Sequence, residues 1–156
     1  MSKRLFIISI IFLLFPVLNS FSEEAKVKPK GPITVTSETL TADNKAHTAL
    51  FEKNVVAKTT DMTIYADSML VFYKENGGDV TEIDAAGNVK LYKNNRVITS
   101  QKAVYYAAED KVIFTGEPRA VDGENVVTGK KMTYYITDDR SFVEGSKVFM
   151  KNKKEK

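Results

Sequence analysis

From residue 33 onward, apolar and polar side chains alternate with a period of two, as in Ile33-Thr34-Val35-Thr36 and Asn88-Val89-Lys90-Leu91. Such alternation predicts half-buried β-strands, with every second residue turned to one face. No stretch of this region keeps helical periodicity beyond one turn. Residues 101–109 contain Ala and Lys, but the pair Tyr105-Tyr106 argues for strand there too.

The strands fall into a repeat. Val35-Thr36-Ser37, Ile64-Tyr65-Ala66, Ile98-Thr99-Ser100 and Val127-Thr128-Gly129 each set an apolar β-former two residues before a small one, at spacings of 29, 34 and 29. Three and five residues further on come Leu40, Met69, Ala103 or Met132, and Ala42, Val71, Tyr105 or Tyr134. A second anchor follows at Lys53, Gly87, Gly116 and Gly145, lying 16, 21, 16 and 16 residues after the small residue. The five extra residues of the second repeat fall at 75–79, at a Gly-rich hairpin tip where insertion costs little.

The step from the small residue to the next apolar one is odd, which would flip the face unless the strand bends or bulges. The small residues therefore mark the inside of a corner, and the Gly- and Asn-rich second anchor marks a matching bend. The expected architecture is all-β: a twisted jelly-roll or solenoid-like stack of about four repeats, open at both ends.

Residues 1–32 read differently. Lys3 and Arg4 precede an apolar run over 5–18, too short for comfortable passage across roughly 30 Å of hydrocarbon, and Ser20 and Ser22 supply the small residues of a cleavage site. The expected division is a signal peptide over 1–22, cleaved near Ser22, a flexible lead-in over 23–32, a β domain over 33–150 and a Lys-rich tail over 151–156. An uncleaved anchor is the alternative for the first segment. Without Lys3 and Arg4 the chain has 21 basic against 20 acidic residues, and without the tail 17 against 19. The basic pI thus belongs to the two ends, and no nucleic-acid-binding surface is expected.

Candidate chemistry is sparse. The chain has no Cys, which removes disulfides, thiol nucleophiles and zinc-thiolate sites, and its single histidine, His47, is expected to be exposed at a hairpin tip. The acid pairs Glu109-Asp110 and Asp138-Asp139 sit where turns are expected and read as turn caps. No carboxylate pair is held across a cleft, so neither an enzyme nor a metal or cofactor site is expected. Lys130-Lys131 suit phosphates at a groove mouth and a solvated strand end equally. Inward parity collects Ile33, Val35, Leu40, Phe51, Ile64, Met69, Val71, Ala85, Leu91, Ile98, Tyr105, Phe114, Val127, Met132 and Tyr134 between the sheets. Small or flexible neighbours such as Ala42, Ala49 and Ala103 suit an adaptable apolar groove, and an ordinary packed core accounts for the same residues.

With this leader, the opening Pro32-Ile33-Thr34-Val35-Thr36-Ser37-Glu38 and corners such as Gly87-Asn88-Val89, residues 32–148 resemble the LptA/OstA family of periplasmic lipopolysaccharide-transport proteins. The resemblance implies a V-shaped β-jelly roll whose apolar inward residues carry the acyl chains of lipid A. It also implies end-to-end self-association by strand addition, bridging LptC-like inner-membrane and LptD-like outer-membrane partners. A membrane-anchored LptC-like protein and a β-solenoid without lipid transport are the alternatives. Lys53 in place of Gly and Pro118 in place of the corner Val depart from the pattern and put those two corners in question.

Overall fold

The computed structural model describes residues 33–75 and 78–151. The leader, the lead-in through residue 32 and the tail beyond Lys151 lie outside the described residues. Twelve strands form one antiparallel sheet: β1 (Thr34–Thr36), β2 (Thr39–Asp43), β3 (Thr48–Lys58), β4 (Met62–Tyr73), β5 (Val80–Lys93), β6 (Arg96–Tyr106), β7 (Lys111–Thr115), β8 (Arg119–Asp122), β9 (Asn125–Thr128), β10 (Lys131–Tyr135), β11 (Arg140–Glu144) and β12 (Lys147–Phe149).

The element count hides a simpler plan. Strands β3 to β6 are long and bend in the middle, whereas β1/β2, β7/β8, β9/β10 and β11/β12 are the two halves of strands interrupted at the same level. The chain is therefore a meander of eight bent strands, and each sequence repeat is one hairpin. All the bends align, so the sheet folds over itself. One half runs β2, β3, β4, β5, β6, β7, β10, β11 and the other β1, β3, β4, β5, β6, β8, β9, β12.

Local chemistry makes the bends. The ladder registers shift between Glu52 and Val55, Tyr65 and Ser68, and Ala86 and Val89: two residues oppose one between β3 and β4 and between β5 and β6, and three oppose two between β4 and β5. The second anchors lie at these bends in left-handed conformations: Lys53 (φ 64°) with Asn54 (51°), Gly87 (76°) with Asn88 (49°), Gly116 (74°) with Glu117 (59°), and Gly145 (62°). At Gly116 a Cβ would lie 2.6 Å from the Gln101 Cβ, so glycine there answers both a left-handed backbone and a close approach. Opposite the second anchors the backbone N–H after the small residue closes the corner: Glu38 N donates to Lys53 O, Gln101 N to Gly116 O and Lys130 N to Glu144 O, at 3.1, 3.0 and 2.8 Å. Asn54 and Asn88 brace the outside by donating to Glu38 and Asp67.

Both questioned corners keep this geometry. Lys53 takes the left-handed conformation of its glycine counterparts, opposite an edge strand broken between β1 and β2. Pro118 is fully buried, as are Val55 and Val89 at the equivalent positions, and its carbonyl still accepts from Gly129 N at 3.2 Å. The excess of the longer second repeat, expected at 75–79, falls between the end of β4 at Tyr73 and the start of β5 at Val80, and its residues 76 and 77 lie outside the described residues.

The core fills the fold between the two halves, with Val55, Leu91 and Ile98 from one side against Met69, Phe114, Met132 and Tyr134 from the other. Parity supplies its large members Met69, Val71, Leu91, Ile98, Tyr105, Phe114, Met132 and Tyr134, but it omitted Val55, Ala57, Val89 and Val112. The last sits two residues before Phe114 on the same face.

Candidate functional site

Strand registers show that the inward residues form continuous rows. One row reads Leu40, Phe51, Met69, Ala85, Ala103, Phe114, Met132. A second carries Val71, Tyr105, Val112 and Tyr134 on the same half, and a third carries Val35, Ile64, Leu91, Ile98 and Val127 on the other. Every sequence-derived candidate that lies in a paired strand thus belongs to one of these inward rows.

The interior is not uniform along its length. A cavity of about 450 Å³ lies between the halves, lined mostly by apolar side chains including Ile33, Ile64, Met69, Ile83, Tyr105 and Phe114. Its mouth opens between the tips of the two halves, where Thr59, Asp61, Lys93, Asp110, Ile136 and Thr137 complete the lining. Of the other candidates, Val71, Leu91, Ile98, Met132 and Tyr134 are closed into the core, and Val35, Phe51 and Val127 are half-buried against it. Leu40 shares the inward face but is 58% exposed, because β2 is an edge strand that, among the described strands, pairs only with β3.

Parity did not find several lining residues. Ala57, Ile83 and Val112 continue the period-two pattern by one step and were legible in it. Lys93, Asp110 and Thr137 sit at hairpin tips, where alternation ends and carries no signal.

Polar groups at the mouth are organised across neighbouring tips. Asp110 accepts from the backbone N–H of Thr137 at 3.0 Å and from its hydroxyl, so it ties two turns together rather than capping only its own. Tyr105 lies at this carboxylate, and burial, with the Asp110 charge second, pushes its hydroxyl pKa up to about 12. Asp139 accepts from Tyr134 Oη at 2.6 Å and from Arg96 Nη1 at 2.8 Å, and these contacts hold its carboxyl below the usual carboxylate range. Tyr134 is shifted upward by burial and by that same hydrogen bond. A simple capping role does hold at Asp43, whose Oδ1 accepts from Lys45 N and Ala46 N.

Two expectations are corrected. His47, with φ 53°, is half-buried rather than exposed, its ring edge-on to Tyr73 with centroids 5.9 Å apart. Lys130 and Lys131 are not at the mouth but at the bend, where Lys131 pairs with Glu144 at 2.8 Å. Among the described residues no group of three or more His, Asp or Glu converges as a metal site.

The sheet ends supply a second feature. β1/β2 close one end and β11/β12 the other, and no described strand pairs with their outer edges. Around the second edge Phe142, Val148, Phe149 and Met150 are all more than half exposed.

A family model described as "LptA/(LptD N-terminal domain) LPS transport protein" matches residues 34–155. Among solved structures the chain is similar to LptH of Pseudomonas aeruginosa, described as the LptA homologous periplasmic component of the lipopolysaccharide transport device. That likeness has a TM-score of 0.72 at 12% sequence identity, over 80% of this chain and 99% of the other, and it establishes a shared fold. No curated protein sequence matches the chain.

Proposed function

The chain belongs to the LptA/LptD N-terminal-domain family of lipopolysaccharide-transport proteins, and from that premise we propose that it shelters lipopolysaccharide acyl chains between its two sheet halves in the periplasm. The family consists of transport proteins, not enzymes. The observation that carries the proposal is the apolar cavity of about 450 Å³ between the halves, open at the tips and lined by Met69, Ile83 and Phe114. An aqueous compartment gives a lipid tail no apolar surroundings. Burying its methylenes contributes about 0.8 kcal/mol each, so even part of a chain held in this cavity is strongly favoured.

The sheet edges supply the route. The β1/β2 edge of one molecule and the β11/β12 edge of another differ in sequence, so their pairing is heterologous and extends without closing. Each added strand satisfies backbone groups otherwise left to water and continues the apolar interior across the junction. An LptC-like donor and an LptD-like acceptor present the same kind of edge at the two ends of the bridge. The test is displacement of a fluorescent acyl probe from the mature protein by lipopolysaccharide. Saturable displacement supports the proposal. A protein that binds neither probe nor lipopolysaccharide is a β scaffold without a carrier role.

A further inference from the structure

The described side chains that join the two halves across the mouth form one cluster around the β5–β6 turn. Lys93 ends β5, Arg96 begins β6, and the two are paired. From this turn Lys93 Nζ donates to Ile136 O at 2.9 Å, and Arg96 Nη1 donates to Asp139 Oδ1 at 2.8 Å. Both cations lie over the Tyr134 ring, 5.5 and 5.7 Å from its centroid, and Tyr134 Oη donates to the same Asp139 oxygen. Arg96 Nη2 also reaches Asp122 at 3.2 Å.

This clamp stands at the boundary between the open cavity and the closed interior. Lys93 and Ile136 line the cavity, whereas Met132 and Tyr134, on the strand that leads into the clamped turn, are fully buried. A lipid tail that occupies the cavity cannot advance toward the β11/β12 edge until the turn at 136–139 moves away from Lys93 and Arg96.

We infer that Lys93 and Arg96 form a binding site for the phosphate of an acylated headgroup, and that phosphate binding releases the 136–139 turn and opens the second half of the interior. The inference rests on the acyl-carrier reading above. A lipid with its tail in the cavity holds its headgroup at the mouth, and Lys93 is the cation among the lining residues. A phosphate carries more charge than the Asp139 carboxylate and matches the guanidinium fork as well, so it competes for Arg96 Nη1 and for Lys93 together. The contacts it displaces are a neutral carbonyl and a carboxylate whose side chain is 58% exposed, and partly exposed ion pairs are individually weak. The clamp is therefore held closed without a ligand yet yields to a stronger anion.

The test compares lipid A with enzymatically dephosphorylated lipid A, binding being measured by displacement of an acyl probe and turn opening by hydrogen exchange at 136–139. With the native protein, lipid A is expected to bind about tenfold more tightly than its dephosphorylated form, the scale of one charge-assisted hydrogen bond. Exchange at 136–139 should rise with lipid A alone. The double variant Lys93→Gln, Arg96→Gln should lose that preference while still binding the dephosphorylated lipid. Asp139→Asn, which frees the cations, should bind lipid A more tightly and exchange faster at 136–139 without any ligand. Equal binding of both lipids by the native protein, or a preference that survives in the double variant, overturns the phosphate site. Exchange at 136–139 that does not rise with lipid A overturns the release of the turn, and failure of both lipids to displace the probe from the native protein overturns the acyl-carrier reading, and this proposal with it.

Discussion

Replacing Lys53 by glycine should stabilise the protein. Lys53 holds φ 64° at a corner where its counterparts in the other repeats are Gly87, Gly116 and Gly145. An L-residue with a Cβ pays roughly 1–2 kcal/mol for the left-handed region. Glycine returns about 0.5–1 kcal/mol of that through the greater freedom of its unfolded chain. The net gain expected for Lys53→Gly is about 0.5–1 kcal/mol, a rise of roughly 2–5 °C in Tm for a domain of this size. The reciprocal change, Gly116→Ala, meets both the backbone cost and the Gln101 Cβ at 2.6 Å. It should therefore destabilise by about 2–3 kcal/mol. Urea unfolding of the two variants beside the native chain, with unchanged m-values, measures both signs. A destabilising Lys53→Gly or a neutral Gly116→Ala would refute the account of the bends.

Three further expectations concern the core, the mouth and the edge. Phe114→Ala, at a fully buried position beside the cavity, should cost about 3–5 kcal/mol by denaturant unfolding, and a cost below 1 kcal/mol would mean that the site is slack. Tyr105 has its folded pKa raised to about 12, so its contribution to stability is complete below the unfolded value near 10 and is lost as pH climbs from about 10 to 12. Tyr105→Phe should flatten the fall in stability over that window, and an unchanged slope would remove Tyr105 from the alkaline transition. Deleting residues 147–156 removes β12 and should weaken concentration-dependent association without unfolding the remaining strands; light scattering over a concentration series, with circular dichroism beside it, decides.

Parity and repeat spacing carried most of the fold because they are local signals. The small residues Ser37, Ala66, Ser100 and Gly129 located one side of every bend, and the Gly and Asn anchors located the other. The register rows then followed, since residues two apart on one strand share a face with the residues paired to them on the next. How far the interior closes was not legible in the sequence. Leu40 and Leu91 have the same parity, yet one is 58% exposed and the other fully buried, because exposure depends on whether a strand lies at the edge or under the opposite half. The mouth escaped for a related reason. Lys93, Arg96, Asp110 and Asp139 sit at tips and find partners more than twenty residues away, and spacing along one strand holds no record of that. His47 shows the same limit, since its partner Tyr73 comes from the next hairpin.

The central claim, that lipid tails occupy the space between the halves, is tested most directly by photocrosslinking with lipopolysaccharide at neighbouring positions of opposite parity. A photoreactive residue at Phe51 or Tyr105 faces the interior, and one at Glu52 or Tyr106 faces outward from the same strands. The account predicts crosslinks at Phe51 and Tyr105 and none above background at Glu52 and Tyr106. Equal crosslinking at both parities, or crosslinks confined to the outward pair, would contradict it.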